Sequence, residues 1–433
     1  MYIVLLFPFL GIVSCDNEMK ECTISSESSI NGSGLPVISS AESKEGDEGD
    51  ASFQLEANRL NEKLLSVIAK DDRKHRFIKT YPNYYGGSII TNTGKLLLLV
   101  SGSFEDGKKT LLSHIGRSDI VEFHECRYSF QELTDIMNTL NDSFSDLDQS
   151  IKKNLRAWYI KDDDNCVVVS LRDTSEYHIN TFKEFVMNHP AIQFELFVDS
   201  SDNREIESVV CSFSSLRDPS KIGMSLKGGG VVYEYKNNDR LYGSWAFRVR
   251  EVNSHNTIGM ITAGHVVHND SVFWGPFLLG EYSMAYETEE CDAAFVKTKP
   301  LFTPSNILEN NWKDSISTDT TQYSLSTQTS LPGVGTVINK RGWTSGRTTG
   351  TVLSTNYTNV NSGVVNGPIV TNMTLASFYS DYGDSGGIVY TYISSTNTRY
   401  TVGVLRGRLG DDHYKTVFTK AGIVLSIFGV ERY

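Results

Sequence analysis

The spacing of apolar and polar residues divides the chain into two textures. Between Phe53 and about Lys70, Leu60, Leu64, Leu65 and Ile68 recur at helical spacing. Ser88-Ile89-Ile90, a turn at Asn92-Thr93-Gly94 and the run Leu96 to Val100 predict a β-hairpin. Phe130, Leu133, Ile136, Met137 and Leu140 predict a second helix, Cys166 to Leu171 a strand, and Phe182, Phe185 and Val186 a third helix. Residues 53–220 therefore read as an α+β unit. Near Lys221 the texture changes. Gly228-Gly229-Gly230 opens a region of short strands separated by turn signals: Ser244–Val249, Thr257–Thr262, Ala293–Lys297, Thr349–Ser354, Gly387–Tyr392 and Tyr400–Leu405. Helical periodicity returns only at Ala421 to Phe428. Residues 221–433 are thus expected to form an all-β barrel or sandwich with a short helix on its outside.

The N-terminal 52 residues belong to neither texture. Residues 1–15 hold an apolar run too short to span a bilayer but long enough for the core of a signal peptide. Ile12-Val13-Ser14-Cys15 also fits a lipoprotein cleavage box, which would anchor the chain to a membrane through a lipid on Cys15. The two readings stand side by side, and both place the protein outside the cytoplasm. Residues 16–52 are rich in Ser, Gly and acid, and read as a disordered acidic linker. The net charge of −12 argues against nucleic acid as a partner. The six cysteines lack the paired spacing of a zinc site and the density of a disulfide scaffold. Only Cys291 lies in the last half, so that half is held together by packing. Five Asn-X-Ser/Thr sequons match what an Asn-, Ser- and Thr-rich chain produces by chance.

Three short strings carry candidate chemistry. Gly383-Asp384-Ser385-Gly386-Gly387 places a serine between glycines, which let the backbone turn sharply and bring its N–H groups close to a substrate. The Gly383 and Ser385 N–H groups can converge where a tetrahedral oxyanion forms, a contribution of about 3–4 kcal/mol to such reactions. Thr262-Ala263-Gly264-His265 ends an apolar strand in a tight turn, and Asp292 opens the apolar strand Ala293-Ala294-Phe295-Val296. A carboxylate there is costly unless paired, and a histidine Nδ1–H is a natural partner. A nucleophilic serine needs a base to take its proton and a carboxylate to hold that base. The same serine string also satisfies the Gly-X-Ser-X-Gly elbow of α/β-hydrolases. That elbow leads into a helix and is followed by its acid and histidine; here the β-branched Ile388-Val389-Tyr390 follows, and the chain is nearly over. His265 and His268 form one His-X-X-His without a third ligand, so no metal and no other cofactor is expected.

Taken together, the three strings resemble those of chymotrypsin-like serine proteases, in particular the streptogrisin and α-lytic protease branch. Gly342 to Gly350, Tyr357 to Asn372 and Phe418 to Tyr433 extend the likeness through the β region. Tyr81-Pro82-Asn83-Tyr84-Tyr85-Gly86-Gly87 and Asn165 to Val169 resemble parts of the branch's pro-domain. The resemblance implies two six-stranded antiparallel β-barrels with the site between them, preceded by a pro-domain that assists folding and inhibits until cleaved. It implies Ser385 as nucleophile, His265 as general base then acid, Asp292 as orienting carboxylate, and Gly383 and Ser385 as the oxyanion hole. Leu405, Arg406, Gly407 and Arg408 would bind the backbone of a protein or peptide substrate. The implied protein is a secreted or extracytoplasmic serine endopeptidase made as a zymogen and cut near 217–230.

Several positions depart from the family pattern. Val266 and Gly243 stand where that family often pairs two cysteines, and the bridge near its nucleophile is also missing. Each lost bridge removes about 2–4 kcal/mol. Arg406 stands where the family has Ser, and Arg408 where it often has Gly. Both arginines face either outward or into the substrate pocket, where Arg408 would narrow it or favour acidic side chains. A catalytically idle module that keeps the fold for binding, and a serine esterase, are the alternatives these departures leave.

Overall fold

The computed structural model describes residues 48–433 apart from 73, 75–76, 117–118, 199–223, 237–238, 268–270, 275–276, 289, 301, 311–320 and 361–368. Two small α/β units come first. Helix Leu55–Ile68 buries Leu60, Leu64 and Ile68 against the hairpin Tyr85–Ile90 and Leu96–Ser101. The hairpin turns at Asn92-Thr93-Gly94 as predicted, and Gly94 has φ +79° with Phe53 O lying where a Cβ would go. Helix Phe104–Ile115 then crosses over to Val121–Cys126, which pairs parallel to Leu96–Ser101. The second unit repeats this plan. Helix Phe130–Ser143 opens with a capping box between Ser129 and Glu132. It is followed by the hairpin Leu155–Lys161 and Cys166–Leu171, the crossover helix Glu176–Phe185 and the parallel strand Ile192–Leu196.

The sequence pattern located the helix at 55–68, the first hairpin, the helix at 130–143, the strand Cys166–Leu171 and the helix at 176–185. It missed helix Phe104–Ile115, whose only buried side chains are Leu111 and Ile115 apart from Gly107. It also missed Leu155–Lys161, which is buried on both faces and so shows no alternation.

The acidic segment expected to stay disordered as far as residue 52 becomes ordered earlier. Glu48, nearly buried, receives bonds from Arg399 Nε at 2.7 Å and Nη2 at 2.5 Å, and from the Tyr390 hydroxyl at 2.9 Å. Gly49 N–H donates to Asn339 Oδ1 at 2.8 Å and Ala51 N–H to Tyr392 O at 2.8 Å. The acid run is thus not uniformly solvated: its last carboxylate before Asp50 is the partner of a buried guanidinium.

The β region forms two rings of strands. In the second, Val337–Gly342, Ile388–Ile393, Thr398–Leu409, Asp412–Lys420, Ile369–Ala376 and Gly346–Val360 pair antiparallel in that order. Val337–Gly342 also pairs with Gly346–Val360, which closes a six-stranded barrel. The first ring runs Asp239–Ser244, Val231–Lys236, Ser271–Trp274, Phe277–Thr288, Cys291–Thr298, Ile258–Thr262 and Arg248–Glu251. The predicted strand Ser244–Val249 is not one continuous strand: it spans the junction between Asp239–Ser244 and Arg248–Glu251. Trp245, Ala246 and Phe247 at this junction are buried, which is why the pattern reads as a strand. Their backbone joins both edges of the ring. Trp245 N–H donates to Gly230 O at 2.8 Å, Ala246 N–H to Ile261 O at 2.8 Å, and Ile261 N–H to Phe247 O at 3.0 Å. Helix Ala421–Phe428 caps the outside, and Val430–Glu431 extends the first ring.

The α/β units are wired into the second barrel. Leu155–Lys161 pairs antiparallel with Gly346–Val360 through Tyr357 opposite Tyr159, Thr358 opposite Trp158 and Asn359 opposite Ala157. A nine-stranded sheet therefore runs from the barrel into the second α/β unit. Glu48→Ala is expected to strand Arg399 in a buried site and to lower the stability of the uncut chain by about 3 kcal/mol. Denaturant melts of the two proteins check this.

Candidate active site

The cleft between the barrels collects the three candidate residues from separate elements. Strand Ile258–Thr262 ends in a tight turn, Gly264–Val266, that carries His265 out of the first ring. Asp292 is the second residue of strand Cys291–Thr298 and is completely buried. Ser385 lies in the turn before strand Ile388–Ile393 of the second barrel.

His265 and Asp292 make a bidentate contact. The His265 backbone N–H donates to Asp292 Oδ1 at 3.0 Å, and its ring Nδ1 lies 2.7 Å from Oδ2. The carboxylate is also reached from the second barrel. Arg406 Nη1 donates to the same Oδ2 at 2.5 Å, while Asp292 N–H donates to the Thr419 hydroxyl at 3.1 Å. Burial by itself would raise the Asp292 pKa. The charges of His265 and Arg406 and the hydrogen bonds from His265 outweigh it and hold the carboxyl well below the usual carboxylate range.

The Ser385 hydroxyl donates to the Arg406 backbone carbonyl at 2.8 Å, and among the described residues it makes no bond to His265. Gly407, with φ +150°, lies beside that hydroxyl, where a Cβ would sit 3.5 Å from Ser385 Oγ. The Gly383 and Ser385 N–H groups donate to nothing among the described residues. Gly383 has φ +90°, and a Cβ there would collide with the Tyr242 ring and the Thr344 hydroxyl.

What shapes this turn was not read from the sequence. Asp384 is completely buried and accepts from Thr344 N–H at 2.9 Å and Ser345 N–H at 3.0 Å on one oxygen. Its other oxygen takes Lys340 Nζ at 2.8 Å and Asp381 N–H at 3.0 Å. Lys340 is itself fully buried on strand Val337–Gly342, and burial drives its pKa down while Asp384 pulls it back up. From the first ring, Ser244 clamps the same turn: its N–H donates to Ser385 O at 2.7 Å and its hydroxyl to Gly383 O at 2.8 Å. Gly386 N–H and Leu405 N–H tie the turn to the neighbouring strand. The only sequence signal for this support was Asp384 within the glycine string. Lys340 sits in a polar stretch that gives no hint of burial.

The four residues expected to bind substrate lie together on strand Thr398–Leu409, at its edge of the cleft. The side chain of Arg406 faces neither outward nor into a substrate pocket; it turns inward to Asp292, because the buried carboxylate has room for a second cation. The Arg408 side chain is also largely covered. Its Nη1 donates to Gly410 O at 2.8 Å, its guanidinium lies 4.6 Å from the Tyr382 ring centre, and Asp381 and Asp411 are each 3.8 Å away. Leu405 is buried in the barrel. His268 lies outside the described residues.

Comparison with known proteins agrees with this architecture region by region. Residues 44–126 match the Pro-like N-terminal domain, residues 131–196 the Pro-like C-terminal domain and residues 252–426 the Trypsin family. The chain therefore joins a two-part Pro-like region to a trypsin domain, the class of serine-type endopeptidases. The Pro-like region stands ahead of the trypsin domain, the order of a serine protease with a pro-domain. Similar solved structures include Thermobifida fusca protease A (22% identity, 48% of this chain and 97% of that one, TM-score 0.39). Nocardiopsis protease is similar at 23% identity over 48% of this chain and 98% of that one, TM-score 0.38. Cellulomonas bogoriensis chymotrypsin is similar at 21% over 48% and 99%, TM-score 0.38. No curated protein sequence matches the chain.

Two outcomes test the electrostatics. Lys340→Met is expected to leave Asp384 uncompensated and to cost about 3–5 kcal/mol, whereas Lys340→Met combined with Asp384→Leu recovers most of that stability. A double-mutant cycle in denaturant measures both. The depressed Asp292 carboxyl contributes stability that is complete above its unfolded value of about 3.9 and is lost as pH falls through the folded value. Asp292→Asn should therefore be less stable than the parent at neutral pH, with the difference shrinking on acidification in pH-dependent melts.

Proposed function

We propose that the chain is a serine endopeptidase exported as a zymogen, working through an acyl-enzyme. His265 takes the Ser385 proton as Ser385 Oγ attacks the scissile carbonyl, and Asp292 orients the ring and stabilises the imidazolium. The Gly383 and Ser385 N–H groups stabilise the tetrahedral oxyanion. His265 then protonates the leaving amine, and water, deprotonated by the same ring, hydrolyses the ester. The observation that carries this reading is the 2.7 Å contact of His265 Nδ1 with a fully buried Asp292. A rotation of the Ser385 side chain away from the Arg406 carbonyl is needed before it meets the ring.

The shared sheet between the second α/β unit and the second barrel supports a pro-domain that templates that barrel and restrains it until cleavage. Maturation would cut between Leu196, the end of the last pro-domain strand, and Met224, whose strand already pairs with Phe302–Leu308. Arg408 spends its charge on Asp381 and Asp411 and lies over Tyr382, which favours small side chains before the cut over acidic ones. The apolar N-terminus supports export, with lipidation of Cys15 as one form of it.

The Ser385 hydroxyl resting on a backbone carbonyl favours a second reading, an idle binding module that keeps the fold. A fluorophosphonate probe separates the two. The endopeptidase reading expects stoichiometric labelling at Ser385 in the processed protein, a precursor that stays uncut when Ser385→Ala is introduced, and turnover of peptides as well as esters. Unlabelled, correctly processed protein would establish the idle module; turnover of esters alone would establish an esterase.

A further inference from the structure

The strap ahead of the first helix fits the second barrel with more specificity than an anchor needs. The Glu48 side chain, only 6% exposed, sits among arginines and aromatic rings. Arg399 grips it through two nitrogens, and Arg347 Nη1 lies 3.9 Å from its Oε1. The Arg399 guanidinium in turn lies 4.9 Å from the Tyr323 ring centre and 4.5 Å from that of Tyr392. Two residues on, Asp50 accepts from the Ser394 N–H at 3.0 Å and from the Ser394 hydroxyl. Between the two acids, the Asn339 amide makes a two-way contact. Its Oδ1 accepts from Gly49 N–H at 2.8 Å, and its Nδ2 donates to Gly49 O at 2.9 Å. A Cβ on Gly49 would stand 2.1 Å from Thr349 Cγ2 and 2.8 Å from Val337 Cγ1, so only glycine fits.

The backbone is engaged as well. Val337–Gly342 pairs with Ile388–Ile393 as far as Tyr390, and the strap takes up the edge beyond it. Asp50 pairs parallel with Tyr392, and Ala51 N–H donates to Tyr392 O at 2.8 Å. An extended peptide added to a strand edge gains affinity from its main chain and specificity from its side-chain sites. Here those sites take an acid, a glycine and an acid, in that order. A guanidinium gripping through two nitrogens selects a carboxylate over an amide. The sequence carries the tripeptide twice in tandem, as Glu45-Gly46-Asp47 and Glu48-Gly49-Asp50. We infer that this face of the second barrel is a recognition site for an extended acid-Gly-acid peptide, filled in cis by the strap and open to such a segment of another protein once strap and barrel are separate chains. That separation rests on the maturation cut proposed above, which leaves Glu48 and Arg399 on different chains. In the uncut chain the tether holds the strap at a high effective concentration. After the cut only noncovalent bonds retain it, and an acidic segment in excess competes by mass action.

The test measures fluorescence anisotropy of a labelled peptide spanning Asp47 to Gln54, which carries one copy of the tripeptide. Every protein is the full chain with Ser385→Ala, so no result depends on cutting. Gly46→Val together with Gly49→Val blocks both cis copies by the same clash. The peptide is expected to saturate this chain and to bind it roughly tenfold or more tighter than the chain with its strap intact. Glu48→Gln or Gly49→Ala within the peptide should each weaken binding roughly tenfold or more, and Arg399→Gln in the protein should erase the preference for Glu over Gln. No saturable binding, or binding that does not distinguish Glu from Gln, overturns the inference. Should the chain with both valine substitutions fail to fold, hydrogen exchange on the chain with its strap intact decides. Excess peptide should speed exchange of the Gly49 and Ala51 amides while its Glu48→Gln form does not; unchanged exchange overturns the site. Fluorophosphonate labelling of the parent bears only on the endopeptidase reading, so a failed label and a failed peptide site are told apart.

Discussion

Everything at the cleft depends on one buried carboxylate. Asp292 is removed from water on a strand whose neighbours, Ala293 to Val296, are apolar and fully buried. An isolated charge in such a place is far too costly to persist. It is tolerated because donors converge on it from two directions: the backbone and ring of His265 from its own ring of strands, and Arg406 from the opposite barrel. The carboxylate thereby ties the barrels together and fixes the orientation of the imidazole. A site spread over two barrels is only as rigid as the contacts that cross between them, and this contact sits at the chemistry itself.

The serine turn is held by the same device in a second copy. Asp384 and Lys340 are both completely buried, and the backbone N–H groups of Thr344, Ser345 and Asp381 complete the shell of the carboxylate. A turn containing two glycines at positive φ, Gly383 and Gly386, has little intrinsic preference for one shape. Its shape is imposed by these bonds and by Ser244 from the first ring. The absence of cysteines after Cys291 is consistent with this arrangement: the second barrel is closed by its own ladder and pinned by buried ion pairs. Those include Glu48 with Arg399, through which the segment before the first helix is fastened to the second barrel's sheet.

Legibility followed the physics of each pattern. Amphipathic elements that bury one face, such as Leu55–Ile68 and Phe130–Ser143, were readable because the burial is written at a fixed period. Elements buried on both faces, such as Leu155–Lys161, carry no alternation, and the junction Trp245–Phe247 carried an apolar run without being a strand. Arg406 was visible as an oddity, but an arginine on a strand has the reach to go outward, into the cleft or beneath it. Its direction is decided by a carboxylate 114 residues earlier in the chain. Lys340 was hidden for the same reason, since its partner lies 44 residues away in the serine turn.

By itself the sequence determined that an α+β region precedes a β region, that a serine between glycines follows a histidine turn and an aspartate strand, and that no cysteine bridge forms within the last part. These are local properties, carried by side-chain periodicity and by the conformational freedom of glycine. Only the tertiary structure decided that the histidine and aspartate touch, that the serine hydroxyl rests on Arg406, and that one sheet runs unbroken from the pro-domain into the second barrel. Those outcomes depend on charges and backbone edges brought together from distant segments, where the cost of burying an unpaired group selects the partner.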